Sequence, residues 1–283
     1  MRAIASAPAS TANLGPGFDV VGLALSLRCR IEAFPAAAWR VESAGEDGGT
    51  VEMLRRVAEA AVGGAGPFRV SIESEIPVTS GLGSSAALIV AASAAMRVAC
   101  GLPAGRDEVF AAAAAVEGHG DNAGASVYGG AIVVSPAGVV RPLGIHESLR
   151  VLVAVPDAIL PTAEARRALE APISTAAASR TASRLAFLIE GLRTGDPVLL
   201  AEAGGDEIHE SRRAHLSPLT GDLVAAARAA GALHSAWSGA GPSAVALVTD
   251  AGAGRVLEVW GRMLEGRGRA LRLAIDSTGL VSG

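Results

Sequence analysis

The stretch Pro77-Val-Thr-Ser-Gly-Leu-Gly-Ser-Ser-Ala-Ala87 is the most informative part of this 283-residue chain. Before it, Phe68, Val70 and Ile72 alternate with Arg69, Ser71 and Glu73, the period-two pattern of a strand running to Ile76. After it, small and apolar residues run to Cys100, and Gly101 closes the run. That pattern predicts a buried helix, apolar on every side, with Ser84 or Ser85 as its N-cap. A glycine turn feeding a helix N-terminus presents free N–H groups at the positive end of the helix dipole, so it binds phosphate without a lysine. Ser84 and Ser85 add hydroxyls suited to Mg²⁺. An ordinary strand-to-helix turn is the plainer reading. Gly81 to Ala86 also fits G-x-G-x-x-A, with Asp107 beyond it, but a dinucleotide fingerprint follows a near-continuous apolar strand. Here the strand carries Glu73 and Glu75, and Pro77 separates it from the glycines.

Outward from this stretch, residues 1–40 read as extended segments around a Gly/Pro turn, and Ser43–Thr50 as a loop. Helices are predicted at Val51–Val62 and Asp107–Glu117, and a strand at Ala131–Ser135. The pattern restarts at Arg150. A strand at Val151–Val155 is followed by helices at Thr162–Leu169, Ala176–Arg193, Asp196–Ala203 and Gly221–Ala230. A strand at Ala244–Thr249, a helix at Ala251–Leu264 and a strand at Ala270–Ile275 complete it. The reading is therefore two α/β halves, 1–150 and 151–283.

Composition narrows the chemistry. The net charge is −4, which gives no electrostatic footprint for nucleic acid. There is no lysine, which excludes a G-K-[ST] P-loop, a protein-kinase strand lysine and a Schiff-base lysine. Cys29 and Cys100 sit among apolar residues and read as buried free thiols, not as a disulfide or zinc framework. The first residues lack the apolar core of a signal peptide, and the apolar run Ala86–Met96 is too short for the roughly 20 residues of a membrane span. A cytoplasmic protein without a membrane partner is expected.

Two further glycine-rich islands stand out: Ala9-Ser-Thr-Ala-Asn-Leu-Gly-Pro-Gly-Phe-Asp19 and Ser238-Gly-Ala-Gly-Pro-Ser243. The segment Glu117-Gly-His-Gly-Asp-Asn122 places an acid at a helix C-terminus, where the dipole disfavours it unless a cation is bound. A solvated end-of-helix acid is the plainer alternative for Glu117, as it is for Asp121. The chain has two asparagines, Asn13 and Asn122, both in these segments, which points to specific amide hydrogen bonds. Arg166 and Arg213 suit bidentate grip on a carboxylate or phosphate, although each taken alone reads as a surface arginine. No G-x-S-x-G elbow supports Ser-His-Asp hydrolysis.

Taken in order, these islands resemble the GHMP kinase superfamily and, within it, the homoserine kinases. Ala7–Asp19 resembles the N-terminal substrate motif, Pro77–Ala87 the ATP loop and Ser238–Ser243 the third motif. Glu117-Gly-His-x-Asp-Asn122, Thr162-x-Glu-Ala-Arg166 and the His-Glu-x-x-Arg213 segment resemble the homoserine kinases specifically. The resemblance implies an α/β (α+β) two-domain fold. Its N-terminal domain is ribosomal protein S5 domain 2-like, with a left-handed β-α-β crossover, and its C-terminal domain is a ferredoxin-like sandwich, with the site in the cleft between them. It implies ATP-dependent phosphorylation of L-homoserine on the route to threonine, with Mg²⁺, in a homodimer. By position, it assigns ATP binding to Pro77, Ser80, Gly81, Leu82, Gly83, Ser84, Ser85 and Ala86. Metal binding falls to Ser84, Ser85 and Glu117. Substrate contacts fall to Asn13, Asp19, His119, Arg166 and Arg213, and catalysis to Asn122, Thr162 and Arg213. The chain departs from the pattern at Gly120, where proline is common, and at Gly49-Thr50-Val51, where an asparagine segment contacts adenine. A GHMP kinase for threonine, shikimate or mevalonate, and a non-catalytic nucleotide- or amino-acid-binding relative, stay open at this point.

Overall fold

A computed structural model of the chain describes residues 1–42, 48–169 and 171–283. The first half runs β1 (Ala3–Asn13), β2 (Gly17–Pro35), β3 (Arg40–Glu42), α1 (Gly48–Val62), β4 (Phe68–Ser74), α2 (Ser84–Ala99), α3 (Arg106–Glu117), α4 (Asp121–Tyr128), β5 (Ala131–Val134) and β6 (Val140–Leu143). The second runs β7 (Arg150–Pro156), α5 (Thr162–Arg167), α6 (Thr175–Thr194), α7 (Pro197–Glu202), α8 (Glu210–Arg213), α9 (Pro218–Ala229), β8 (His234–Trp237), β9 (Ala244–Val248), α10 (Asp250–Met263) and β10 (Gly268–Leu273), then a short return strand β11 (Val281–Ser282). The loop expected from Ser43 lies outside the described residues up to 47, and α1 already begins at Gly48.

The first sheet is built on one long antiparallel hairpin. β1 and β2 pair from Ala3↔Ala33 to Asn13↔Gly17. The turn between them holds Asn13 (φ 72°), Leu14 (φ 48°) and Gly15 (φ 79°) in the left-handed region, which asparagine and glycine tolerate best. β2 is long enough to serve two neighbours, pairing with β5 at Val21–Leu23 and with β4 at Cys29–Pro35. β3 lies parallel to β4 and is joined to it through α1. α2 packs on β1 and β2, with residues such as Ala87, Ala91 and Ala94 fully buried beside Ile89 and Met96. Small side chains let a helix approach a sheet closely, so the alanine-rich run is a packing feature.

The second sheet has the order β10-β7-β9-β8, all antiparallel. In a βαββαβ chain that is the ferredoxin-like order. Its central strands are buried on both faces, which explains their near-continuous apolar sequences. Val151, Val153 and Val155 of β7 join the core of the first half together with Leu188 and Leu192 of α6. Leu152 and Ala154 face a second core holding Leu223 of α9 and Trp260 of α10. One apolar core therefore runs from the first sheet into the second and braces the walls of the cleft between them. The tail crosses back: β11 pairs with β1, and Leu280 N–H donates to Val127 O, so residues after β10 add to the first sheet.

One expectation changes. Cys29 is buried, and burial pushes its thiol up to about 11, but Cys100 is exposed just past the end of α2. Among the described residues no helix is long and apolar enough to cross a membrane.

Candidate active site

The three glycine-rich islands meet. Ser10 N–H of β1 donates to Leu82 O (3.1 Å), Gly239 N–H donates to Ala12 O (3.1 Å), and Ser243 N–H donates to Ser80 O (3.3 Å). Asn13 Nδ2 donates to Gly239 O (2.9 Å), and the Ser238 hydroxyl donates to Gly81 O (2.7 Å). These approaches demand glycine at two points. A Cβ on Gly83 would overlap Ser10 Oγ and press on Asn122 Oδ1, and one on Gly81 would overlap Ser238 O. Both residues also hold left-handed φ, 82° at Gly81 and 64° at Gly83.

This geometry replaces the expected serine cap. Gly83 itself occupies the N-cap of α2, with no side-chain cap. The first intrahelical bond runs from Ala87 N–H to Gly83 O, so the N–H groups of Ser84, Ser85 and Ala86 lie ahead of the ladder, free for an anion. The serine hydroxyls are left free of capping, and that of Ser85 donates to Glu117 Oε1 (2.5 Å).

A row of polar groups continues from Glu117. Its Oε2 lies 3.4 Å from His119 Nε2, and His119 Nδ1 lies 2.9 Å from Asp121 Oδ1. Burial alone would lower the His119 pKa. The hydrogen bond to Asp121 and the charges of Asp121 and Glu117 outweigh it, so the pKa lies above its ordinary value. Asp121 is buried at the start of α4, and its Oδ1 also accepts from Asn122 N–H (2.8 Å). The plainer alternative for Asp121, a solvated acid, therefore does not hold: the carboxylate is a fixed internal acceptor. Asn122 Oδ1 accepts from the Ser10 hydroxyl (2.8 Å), which leaves its Nδ2 donors for a ligand.

The other end of the cleft carries opposite charges. Arg166, on α5, reaches across to Asp19 with a bidentate contact, Nη2 to Oδ1 at 2.8 Å and Nη1 to Oδ2 at 3.3 Å. Asp19 N–H is held by Asn13 Oδ1 (3.1 Å). Arg213 is 2% exposed, not the surface residue its polar neighbours suggest. Its Nε donates to Ala165 O (2.9 Å), Nη1 donates to His209 Nδ1 (3.3 Å), and among the described residues no carboxylate pairs with it. Burial, then the charge of Arg166, lowers its pKa to about 10. Phe18 lies under both guanidinium groups, 5.8 Å from Arg166 and 5.5 Å from Arg213. A buried cation lacking a counter-ion is costly, so the arrangement favours an incoming anion.

Family models match both halves: the GHMP kinases N terminal domain at residues 49–130 and the GHMP kinases C terminal domain at 188–266. The chain is 36% identical over 275 residues to the homoserine kinase of Thermus thermophilus, covering 95% of this chain and 94% of that one. It is 35% identical over 251 residues to that of Moorella thermoacetica, covering 84% and 85%. The chain belongs to the homoserine kinase family of GHMP kinases. A crystal structure of homoserine kinase from Cytophaga hutchinsonii superposes with a TM-score of 0.85 at 25% identity, covering 100% of this chain and 97% of that one. A Streptococcus pneumoniae phosphomevalonate kinase, 14% identical at TM-score 0.72, shares the fold.

In this homoserine kinase family member the cleft encloses about 140 Å³ and gathers nearly all the residues singled out from sequence. Asn13, Asp19, Ser80, Gly81, Gly83, Ser84, Ser85, Ala86, Glu117, His119, Asn122, Thr162, Arg166 and Arg213 line it. Pro77 and Leu82 do not. Leu82 is fully buried and anchors the loop in the core, and Pro77 O accepts from the Ser80 hydroxyl (2.7 Å), closing the turn. Phe18, Thr79, Asp121, Gly239 and Ala240 also line the cleft. Gly239 and Ala240 were marked by the third motif; Phe18 carried no polar signal to mark it.

Proposed function

We propose that this chain transfers the γ-phosphoryl group of ATP to the side-chain hydroxyl of L-homoserine, giving ADP and O-phospho-L-homoserine. The observation that carries the reading is one cleft with a phosphate cradle at one end and, at the other, Asp19 facing Arg166 and Arg213. An α-amino acid offers both complements: its ammonium suits Asp19, and its carboxylate suits the two arginines. Mevalonate and shikimate carry no amine and would leave Asp19 with Arg166 alone.

The loop from Thr79 to Gly83 and the first N–H groups of α2 would hold the triphosphate by backbone donors and dipole, in place of the absent lysine. Ser85 Oγ and a Glu117 carboxylate oxygen, 2.5 Å apart in the cleft, form an oxygen-only donor set that fits Mg²⁺, which takes few protein ligands beside phosphate. Ser84 is the adjacent hydroxyl. The ion when bound would neutralise charge on the phosphates. Asn122 Nδ2 would steer the acceptor hydroxyl or the transferring group, with Asp121 fixing the start of α4 beneath it. Thr162, at the start of α5, would line the transferred group. Phosphoryl transfer through a loose transition state asks mainly for alignment and charge neutralisation, so the hydroxyl proton can leave late without a strong base. The reading extends to a cytoplasmic enzyme on the route to threonine and to a homodimer. Its test is ³¹P NMR of L-homoserine incubated with Mg-ATP. A new phosphomonoester signal matching O-phosphohomoserine is expected; ATP consumption without it would overturn the reading.

A further inference from the structure

We infer that His209 is a positioning residue, a neutral imidazole clamp that fixes the Arg213 guanidinium for a substrate carboxylate. The clamp rests on the homoserine reading above for the identity of that carboxylate. His209 is fully buried at the start of α8, one helical turn before Arg213. Its Nε2 lies 2.9 Å from Gly15 O. A carbonyl only accepts, so Nε2 carries the proton. Its Nδ1 lies 3.3 Å from Arg213 Nη1, a group that only donates, so Nδ1 carries a lone pair. Both contacts are met by one species, the neutral Nε2–H tautomer, and burial favours it by lowering the His209 pKa. The nearest carboxylate among the described residues, Asp206, is 3.7 Å from Nε2, and its Oδ2 is already engaged by the N–H groups of Ile208, His209 and Glu210.

The ring does a second job. It stacks on Phe18, centroids 5.2 Å apart and planes 28° apart, and Phe18 in turn floors both arginines. Gly15 belongs to the turn of the first hairpin, whose Leu14 carbonyl lies 2.9 Å from His234 Nε2 of the second sheet. His209 therefore ties the turn that leads into β2, the strand that carries Asp19, to the helix that carries Arg213. Without its acceptor, Arg213 keeps the Ala165 carbonyl as its remaining hydrogen-bond partner among the described residues, and its Nη1 end loses the contact that fixes its orientation.

Two variants separate the bonds from the ring. H209F keeps a stacking ring and removes both hydrogen bonds; H209Q keeps an amide donor for Gly15 and an acceptor for Arg213. The probe is 3-aminopropan-1-ol, which has the hydroxyl and ammonium of homoserine and no carboxylate. H209F is expected to raise the KM for L-homoserine about tenfold or more, the worth of one hydrogen bond to a charged group. The KM for ATP and the inhibition constant of 3-aminopropan-1-ol are expected to stay within about threefold of wild type, and H209Q to stay near wild type throughout. An unchanged homoserine KM in H209F overturns the clamp, and so does an equal loss for homoserine and for the carboxylate-free probe. Should H209F fail to fold, ¹⁵N NMR of the wild-type chain at pH 7 decides: the neutral Nε2–H tautomer is expected, and an imidazolium or an Nδ1–H tautomer overturns it. If wild type gives no turnover of L-homoserine, the functional reading fails, and the NMR result still judges the clamp.

Discussion

Replacing Arg213 by methionine should separate activity from stability. The side chain is buried, held by Ala165 O and His209 Nδ1, and has no carboxylate partner among the described residues. Its pKa, lowered to about 10 first by burial and then by Arg166, reports an environment that resists the charge. Methionine keeps much of the volume and removes the charge. Methionine removes a buried charge that lacks a counter-ion among the described residues but leaves Ala165 O and His209 Nδ1 without their donor; these opposing effects are about 1–3 kcal/mol each, so the net change in stability should stay within about 2 kcal/mol. Activity should fall steeply. One charge-assisted hydrogen bond is worth about 1.5–3 kcal/mol, so loss of the carboxylate grip should lower kcat/KM for L-homoserine by roughly a hundredfold. The assays are steady-state ADP release over a homoserine series, an ATP series at fixed homoserine, and thermal unfolding by tryptophan fluorescence. Wild-type kcat/KM in the variant would refute the reasoning. So would an equal rise in the KM for ATP, because that would place Arg213 outside a carboxylate-specific role.

Three further outcomes are expected. Gly83→Ala puts a Cβ against Ser10 Oγ at φ 64°, where a left-handed residue costs about 1–2 kcal/mol before the overlap is counted; a lower Tm and weaker ATP binding by titration are expected, and an unchanged Tm would contradict the packing argument. Glu117→Gln keeps an acceptor for the Ser85 hydroxyl but removes the anion, so the Mg²⁺ concentration for half-maximal activity should rise about tenfold or more; an unchanged Mg²⁺ dependence would remove Glu117 from the metal site. Glu210 is buried, and burial raises its pKa from 4.5 to about 7, so between those values the folded chain holds a proton that the unfolded chain has lost. Stability from this group is present below about 4.5 and falls as pH rises to about 7, by about 3 kcal/mol; Glu210→Gln, which keeps an acceptor for Trp237 N–H (2.7 Å), should flatten that slope in denaturant melts at pH 5 and pH 8.

What the sequence made legible is what chemistry writes locally. The glycines at 81 and 83 were readable because a backbone cradle needs them, and Glu117 because an acid at a helix end wants a cation. The alternating and apolar runs gave most strands and helices within a few residues. α4 stayed hidden because Asp121–Tyr128 carries a central glycine and no periodic apolar stripe, and it is held by packing of Ala123, Ala125 and Val127. β8 stayed hidden because all four residues of His234–Trp237 are buried, so nothing alternates. The motif around Gly81 marked Leu82 as a ligand residue, while the fold uses it as the anchor that keeps the loop on the core. Phe18, His209 and the burial of Arg213 depend on residues 15, 18 and 209 meeting across the chain, and no local window contains that contact. The serine cap failed for a related reason: Gly83 is squeezed between Ser10 and Asn122, residues distant in sequence.

On the proposed function, the cleft joins an ATP cradle to a site for a zwitterionic amino alcohol. ADP release with Mg-ATP, measured in parallel with L-homoserine, L-threonine, shikimate and mevalonate, tests it most directly. Turnover that is strong with homoserine and far weaker with the amine-free alcohols is the predicted result. Preferred turnover of shikimate or mevalonate would keep the cradle and contradict the roles given to Asp19, Arg166 and Arg213.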